Sequence, residues 1–431
     1  MAHILVERAL ALVPDIEDFL PLTDAVIGTS KADPDKTWAR SSAYATVGKR
    51  VVDPARLAEM IPRITERVQQ RLQQLFSLVF TAIQQQEAGE YAAAAETLIR
   101  AGEMEEGEQR LDKAERIYMM ALEIARDLRD KRPQVLALRR LGRVTRTARR
   151  LDESWSWYQQ SYHLSIDEMD LPGQIIACQG LGNLCDDRGQ REDARRWYEE
   201  GLHLAQEIED PQLEWPFYSN LSGLATRRGD LAEAGRLLDR ARTCIEAAGD
   251  EGSIFYWYNN RGLLLLESDE PELAEKTLRE GLERGGSPFW EMVIRLNIGE
   301  SLLRQDRLFE AEEEARKAEE LSILHRLIPY LVDVYSLFGR IATGRCDEEG
   351  FVFFEQALEV CRERGLPEVK EAPVYHEYGL LYRGCGRPVE AAAYLDRARE
   401  IYARLGLNVE LERVRRDMEL LEAPAPAPTA A

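Results

Sequence analysis

Arg139, Arg143 and Arg146 stand at i, i+4 and i+7, so a helix carries all three on one face. Aligned guanidinium groups suit carboxylates or phosphates, which accept their paired N–H donors as a fork. The stripe stands out because the 431-residue chain has a formal net charge of −21. Two readings fit it: a ligand site, or pairing with acidic neighbours such as Glu103, Asp186 or Asp187. A groove arginine can also exchange a protein partner for a ligand, so the two are compatible. No other constellation suggests chemistry. His3, His163, His203, His325 and His376 show no HExxH or comparable spacing. There is no glycine-rich phosphate loop and no GxSxG elbow. The acidic run 310–314 reads as a solvated helix face. The six cysteines, Cys178, Cys185, Cys244, Cys346, Cys361 and Cys385, form no CxxC pair. Cys178 and Cys185 share a helical face and read as small buried hydrophobes. No enzyme activity, cofactor or metal is expected.

The elements that must position the stripe are legible as a repeat. Small residues recur at Gly102, Gly142, Gly182, Ser222, Gly262, Gly299 and Gly379. Twelve residues after each comes another: Ala114, Ser154, Ala194, Ala234, Ala274, Ala311 and Ala391. Seven further on lie Ala121, Ser161, Gly201, Ala241, Gly281, Ala318 and Ala398. The first four steps are 40 residues each, and a degenerate unit with Gly350 and Ala357 precedes the last. Two antiparallel helices approach closely only where side chains are small, and large neighbours fill the remaining volume. Those fillers are Leu141, Leu181, Leu221, Ile298 and Tyr378 on first helices. On second helices they are Tyr118, Tyr158, Tyr198, Leu238 and Leu278. Gly189, Gly229 and Gly386 mark turns inside pairs, and Pro133, Pro172, Pro211 and Pro288 mark new helices. Strand alternation is nearly absent.

This pattern resembles the tetratricopeptide repeat family. Tyr375-x-x-Tyr378-Gly379-x-x-Tyr382 followed by Ala391 carries the resemblance. So do Cys178-x-x-Leu181-Gly182-x-x-Cys185 with Ala194-x-x-x-Tyr198, and Leu138-x-x-Leu141-Gly142 with Ser154-x-x-x-Tyr158. The family's usual period is about 34 residues, shorter than the one here. HEAT and armadillo arrays have longer periods, but the Leu-Gly and Ala-x-x-x-Tyr spacings favour the tetratricopeptide reading. Kinesin light chains and the sensor arms of some bacterial regulators are similar in this respect. The resemblance implies an all-α fold: an α-solenoid, a right-handed superhelix of about eight helix pairs with capping helices at both ends. The expected divisions are an extension over 1–60, a capping helix over 61–90, the array over 91–405, a capping helix over 406–422 and a disordered Ala/Pro tail over 423–431. Within the extension, short helices over 2–13 and 16–27 precede a polar loop over 30–49. The extension either packs on the first helices or serves as a partner-binding arm.

In resembling proteins the first helix of each pair lines a concave groove. The matching positions are Arg139, Arg143 and Arg146, then Gln179, Asn183 and Asp186, then Asn220, then Tyr256, Asn259 and Asn260, then Asn297. Amides in register can hydrogen-bond an extended peptide, offering both donor and acceptor. They can equally serve helix packing. Tyr256 is a candidate binding anchor. The carboxylate clamp of chaperone-binding relatives is not reproduced, because Tyr256 and Asn260 stand where it needs basic residues. The expected function is a scaffold binding a partner protein or peptide, with an acidic segment of that partner as a candidate contact. The alternative is a sensory regulator that binds a signalling peptide or small ligand and controls an enzyme or transcription factor. The acidic balance repels phosphate backbones, so nucleic acid is disfavoured. No stretch matches the ~20 apolar residues of a membrane span, and Glu7 and Arg8 interrupt the one apolar run a secretory leader would need. A cytoplasmic setting is expected, and the excess of arginine over lysine suggests a bacterial source. The oligomeric state is not legible.

Overall fold

The computed structural model describes residues 54–107, 110–325, 327–345, 347–405 and 407–422. The expectations for 1–53, Cys346 and 423–431 lie outside the described residues. Among those described are 18 α-helices and no strand. Helix α1 spans Pro54–Glu87. Eight pairs follow in sequence: α2 Tyr91–Gly107 and α3 Leu111–Ala125, α4 Arg132–Thr147 and α5 Leu151–Asp167, α6 Leu171–Asp187 and α7 Arg191–Glu207, α8 Pro211–Arg228 and α9 Leu231–Ala248. The series continues with α10 Ile254–Glu267 and α11 Pro271–Glu283, α12 Pro288–Arg304 and α13 Leu308–Leu324, α14 Leu331–Gly344 and α15 Glu349–Arg364, α16 Glu368–Gly384 and α17 Pro388–Leu405. Helix α18 spans Asn408–Glu422. This is the expected α-solenoid of helix pairs. It divides into two compact units, one ending at Leu184 and one beginning at Cys185.

The small-residue ladder is buried at every one of its positions. Its steric logic is plainest at Tyr158 of α5. A Cβ at Gly142 would lie 2.9 Å from that ring, and one at Gly180 only 2.2 Å from it. The missing side chains of α4 and α6 are therefore the space the tyrosine fills. Ser154 adds a hydrogen bond, its Oγ donating 2.7 Å to the carbonyl of Gly142. In the second unit Leu278 lies 2.5 Å from the place of a Cβ on Gly262, and Phe354 lies 2.6 Å from one on Gly339. Gly339 is thus the small first-helix residue of the degenerate pair, and Gly350 and Ala357, the two small residues read from the sequence, both lie buried on its second helix, α15. Of the expected fillers, Leu221 is only half-buried. Phe217, one turn earlier on α8, is that helix's fully buried large side chain.

Helix ends follow from ordinary backbone chemistry. Gly229 closes α8 at φ 84°, where its N–H reaches the carbonyls of Ala225 and Thr226. That left-handed conformation needs no Cβ to be accommodated. Equivalent turns at Arg149, Asp269 and Asp306 adopt φ 62°, 59° and 60° without glycine, at about 1 kcal/mol each. Pro211 and Pro288 open α8 and α12. The side chain of Asp210 accepts from the N–H of Gln212 at 2.9 Å and so caps α8.

Within each unit the first helices touch one another: α2 with α4, then α8 with α10, α10 with α12, α12 with α14 and α14 with α16. Successive second helices pack less closely and are joined by ion pairs such as Arg279–Glu314 at 3.8 Å. The first helices therefore form the tighter, inner side. At the ends, Leu75 and Val79 of α1 join the core with Leu98 and Ile99. Leu411 and Val414 of α18 are buried against Ala398, Ile401 and Tyr402. Both end helices thus cover apolar faces that water would otherwise meet.

Candidate functional site: the inner face of the first helices

In the unit ending at Leu184, helix α4 presents the arginine stripe. Arg140 forms an ion pair with Glu103 of α2. Arg143 makes a bidentate pair with Glu106, Nε to Oε1 at 2.6 Å and Nη2 to Oε2 at 2.7 Å. The fully buried Tyr118 donates its hydroxyl to the same carboxylate at 2.7 Å. Burial, reinforced by the Glu106 charge, raises the Tyr118 pKa, so the phenol stays a donor. Burial works against the Arg143 cation, but the Glu106 bonds outweigh it and its pKa is raised.

Arg139 is different. Its guanidinium makes no hydrogen bond or ion pair among the described residues, and Glu103 acts on it only weakly from a distance. Burial, followed by the like charges of Arg140 and Arg143, lowers its pKa to about 10. It remains a cation at neutral pH, but one whose charge the fold leaves poorly compensated. Arg146 is half-buried further along α4, and Gln179 and Asn183 stand half-buried on α6. The sequence had named Glu103 as a pairing candidate. It missed Glu106, which only a spacing of one repeat from Arg143 could have suggested.

In the unit beginning at Cys185, the polar groups bond to one another. Asp186 accepts two bonds from Arg227 of α8, at 2.7 and 2.6 Å. Burial still raises its carboxyl pKa, with Arg227 partly offsetting. The asparagine row forms a chain across three first helices. Asn297 donates to Asn259 at 2.7 Å, Asn259 to Asn260 at 3.0 Å, and Asn260 to Ser219 at 2.9 Å. Asn259 is buried. Asn220 is half-buried beside this chain. Further on, Arg340 bridges Glu300 and Glu377, and Lys370 holds Asp333 at 2.8 Å.

These bonds share a spacing. Arg143 to Glu106 spans 37 residues, Arg227 to Asp186 41, Asn297 to Asn259 38, and Arg340 to Glu300 40. Each ties a first helix to the next one along, so the repeat in the sequence reappears as a row of cross-links. Tyr256 is 41% exposed and belongs to an aromatic ladder. Its ring lies 5.2 Å from Trp215 and 4.3 Å from Trp290, and Phe289 continues the ladder to Tyr330 at 5.3 Å. Trp215 and Tyr330 were not singled out from sequence, although Trp215 precedes Tyr256 by about one repeat. Among the described residues no group of His, Cys, Asp and Glu is gathered to hold a metal ion. Burial raises the thiol pKa to about 11 at Cys185 and to about 12 at Cys361, so neither is a ready nucleophile.

No family model and no curated protein matches the chain. Solved structures do. A Rap protein complexed with Competence and Sporulation Factor superposes with TM-score 0.52 at 12% identity, covering 78% of this chain and 98% of that one. The quorum sensor NprR from B. thuringiensis gives TM-score 0.47 at 13% identity over 79% and 99%. A signal-transduction ATPase with a tetratricopeptide repeat sensor, from Pyrococcus horikoshii, gives 0.49 at 14% over 76% and 52%. Likeness at such identity concerns the fold: the chain is a tetratricopeptide-like α-solenoid.

Proposed function

We propose that the chain is an interaction scaffold that holds an acidic segment of a partner protein or peptide against the inner face of its first helices, with Arg139 as the point of capture. The observation that carries this reading is the lack of a bonded counter-ion on Arg139, beside arginines that have theirs. Arg140 and Arg143 hold α4 to α2, so a carboxylate arriving at Arg139 gains a charge-assisted bond without breaking one. No described helix is long and apolar enough to cross a membrane, and a cytoplasmic setting is part of this proposal. The test begins with affinity purification and mass spectrometry to identify the partner. Its affinity is then measured for Arg139→Glu, with circular dichroism checked in parallel. Weakening by about tenfold or more is expected. Unchanged affinity with an unchanged spectrum rules the site out.

A protein of this fold was solved complexed with Competence and Sporulation Factor. That supports a second reading, in which a signalling ligand bound by the array controls a partner enzyme or transcription factor. Absence of any thermal stabilisation by peptides or metabolites would count against it.

A further inference from the structure

Helix α18 does more than cover the last pair. Its Arg413 pairs with Glu267, at the end of α10, at 3.2 Å and across 146 residues of sequence. The second unit therefore closes on itself, and a cavity of about 630 Å³ lies between α18 and the ends of α8 and α10. Its neutral polar lining includes Ser219, Asn220 and Asn260, and Leu263 and Val409 supply apolar surface. Most of its charges are matched: Arg227 with Asp186, Arg228 with Asp230, Arg413 with Glu267.

Two charges have no bonded partner. Arg191, at the start of α7, has no hydrogen-bonding or ion-pair partner for its guanidinium among the described residues, and Asp186 acts on it only at longer range. Glu410, on the α18 wall, has none either, and its Oε2 is cut off from solvent without a hydrogen bond. A carboxylate oxygen withdrawn from water and left without a donor is destabilising. One cavity thus holds a cation and an anion that no bonded partner neutralises. A contrast lies nearby: the cavity of about 390 Å³ between α12, α14 and α16 has its charges joined as Arg340–Glu300 and Lys370–Asp333.

We propose that the chamber under α18 binds a small zwitterion, a molecule bearing a free α-carboxylate and a free α-ammonium. Arg191 takes the carboxylate through its paired N–H donors. Glu410 accepts from the ammonium, which supplies the donor its Oε2 lacks. The amides of Asn220 and Asn260 and the apolar patch of Leu263 and Val409 meet whatever lies between the two ends. Free amino acids and di- or tripeptides share this chemistry, and the cavity admits either. The site lies in a different unit from Arg139 and does not depend on the capture reading.

The full chain is titrated calorimetrically and by thermal shift with three pools: free amino acids, free-ended di- and tripeptides, and the same peptides acetylated and amidated. Stabilisation by one free-ended pool and none by the blocked pool is expected. Which free-ended pool acts identifies the source. Arg191→Gln and Glu410→Gln should each weaken the best ligand by about tenfold or more, with circular dichroism unchanged. Arg139→Glu should leave this binding intact, which separates it from the capture site. The proposal is overturned if no pool binds at millimolar concentration, if blocked and free peptides bind alike, or if both glutamine variants bind as the parent does.

Discussion

The two units share one packing rule and differ in how they treat charge. Up to Leu184, the inner face joins Arg140 and Arg143 to acids of the preceding pair and leaves Arg139 among like charges without a bonded counter-ion. From Cys185 onward, asparagines bond to asparagines, and Arg340 is flanked by Glu300 and Glu377. A polar inner surface can thus serve cohesion or capture. What decides between them is whether a neighbouring helix already supplies the counterpart.

Packing provides the harshest way to break this comparison. Gly180→Val would drive a Cβ into the rigid Tyr158 ring, and about 3 kcal/mol of destabilisation is expected in urea unfolding. Gly262→Val meets the more adaptable Leu278 and should cost less, about 2 kcal/mol. Equal costs would show that ring rigidity does not matter. Next in size is Arg340→Gln, which leaves Glu300 without its main cation. About 2 kcal/mol is expected, discounted for the 30% exposure of the Arg340 side chain. Arg139→Gln should go the other way, with no loss of stability and a gain of up to about 1 kcal/mol. A loss there would mean that Arg139 is matched after all.

Acid titration gives a gentler contrast. Burial raises the Glu300 pKa, but Arg340 and Arg304 prevail and the net shift is downward. Its folded value thus lies below the unfolded value of about 4.3. The stabilisation is complete above that pH and disappears as pH falls through the folded value. Glu300→Gln should flatten the acid limb of stability against pH, and a parallel limb would contradict the assignment. Smallest of all, the exposed Arg132–Asp130 pair should be dispensable, and Arg132→Ala should leave the unfolding midpoint unchanged within error.

The fold was legible because its cause is local and repeated. Gly142, Ser154 and Ser161 each announce a close approach, and a shared phase makes single ambiguities harmless. The arginine stripe was equally legible, since i, i+4 and i+7 define a face on any helix. Its pairing was not. Glu106 and Arg143 meet only because two helices settle at one relative height, and periodicity does not reveal that height to within a side chain. Trp215 hid for the same reason. The return of α18 to Glu267 was further out of reach, because it depends on small rotations accumulated over several pairs.

The row of one-repeat cross-links also has a mechanical consequence. They lie on the inner side, where first helices touch, whereas successive second helices pack less closely and are joined by ion pairs such as Arg279–Glu314 at 3.8 Å. Within a unit, a force that changes its curvature therefore meets stiffer resistance along the closely packed rim than along the other. Such a strip behaves like a book bound at the spine: its outer pages fan apart while the binding keeps its length.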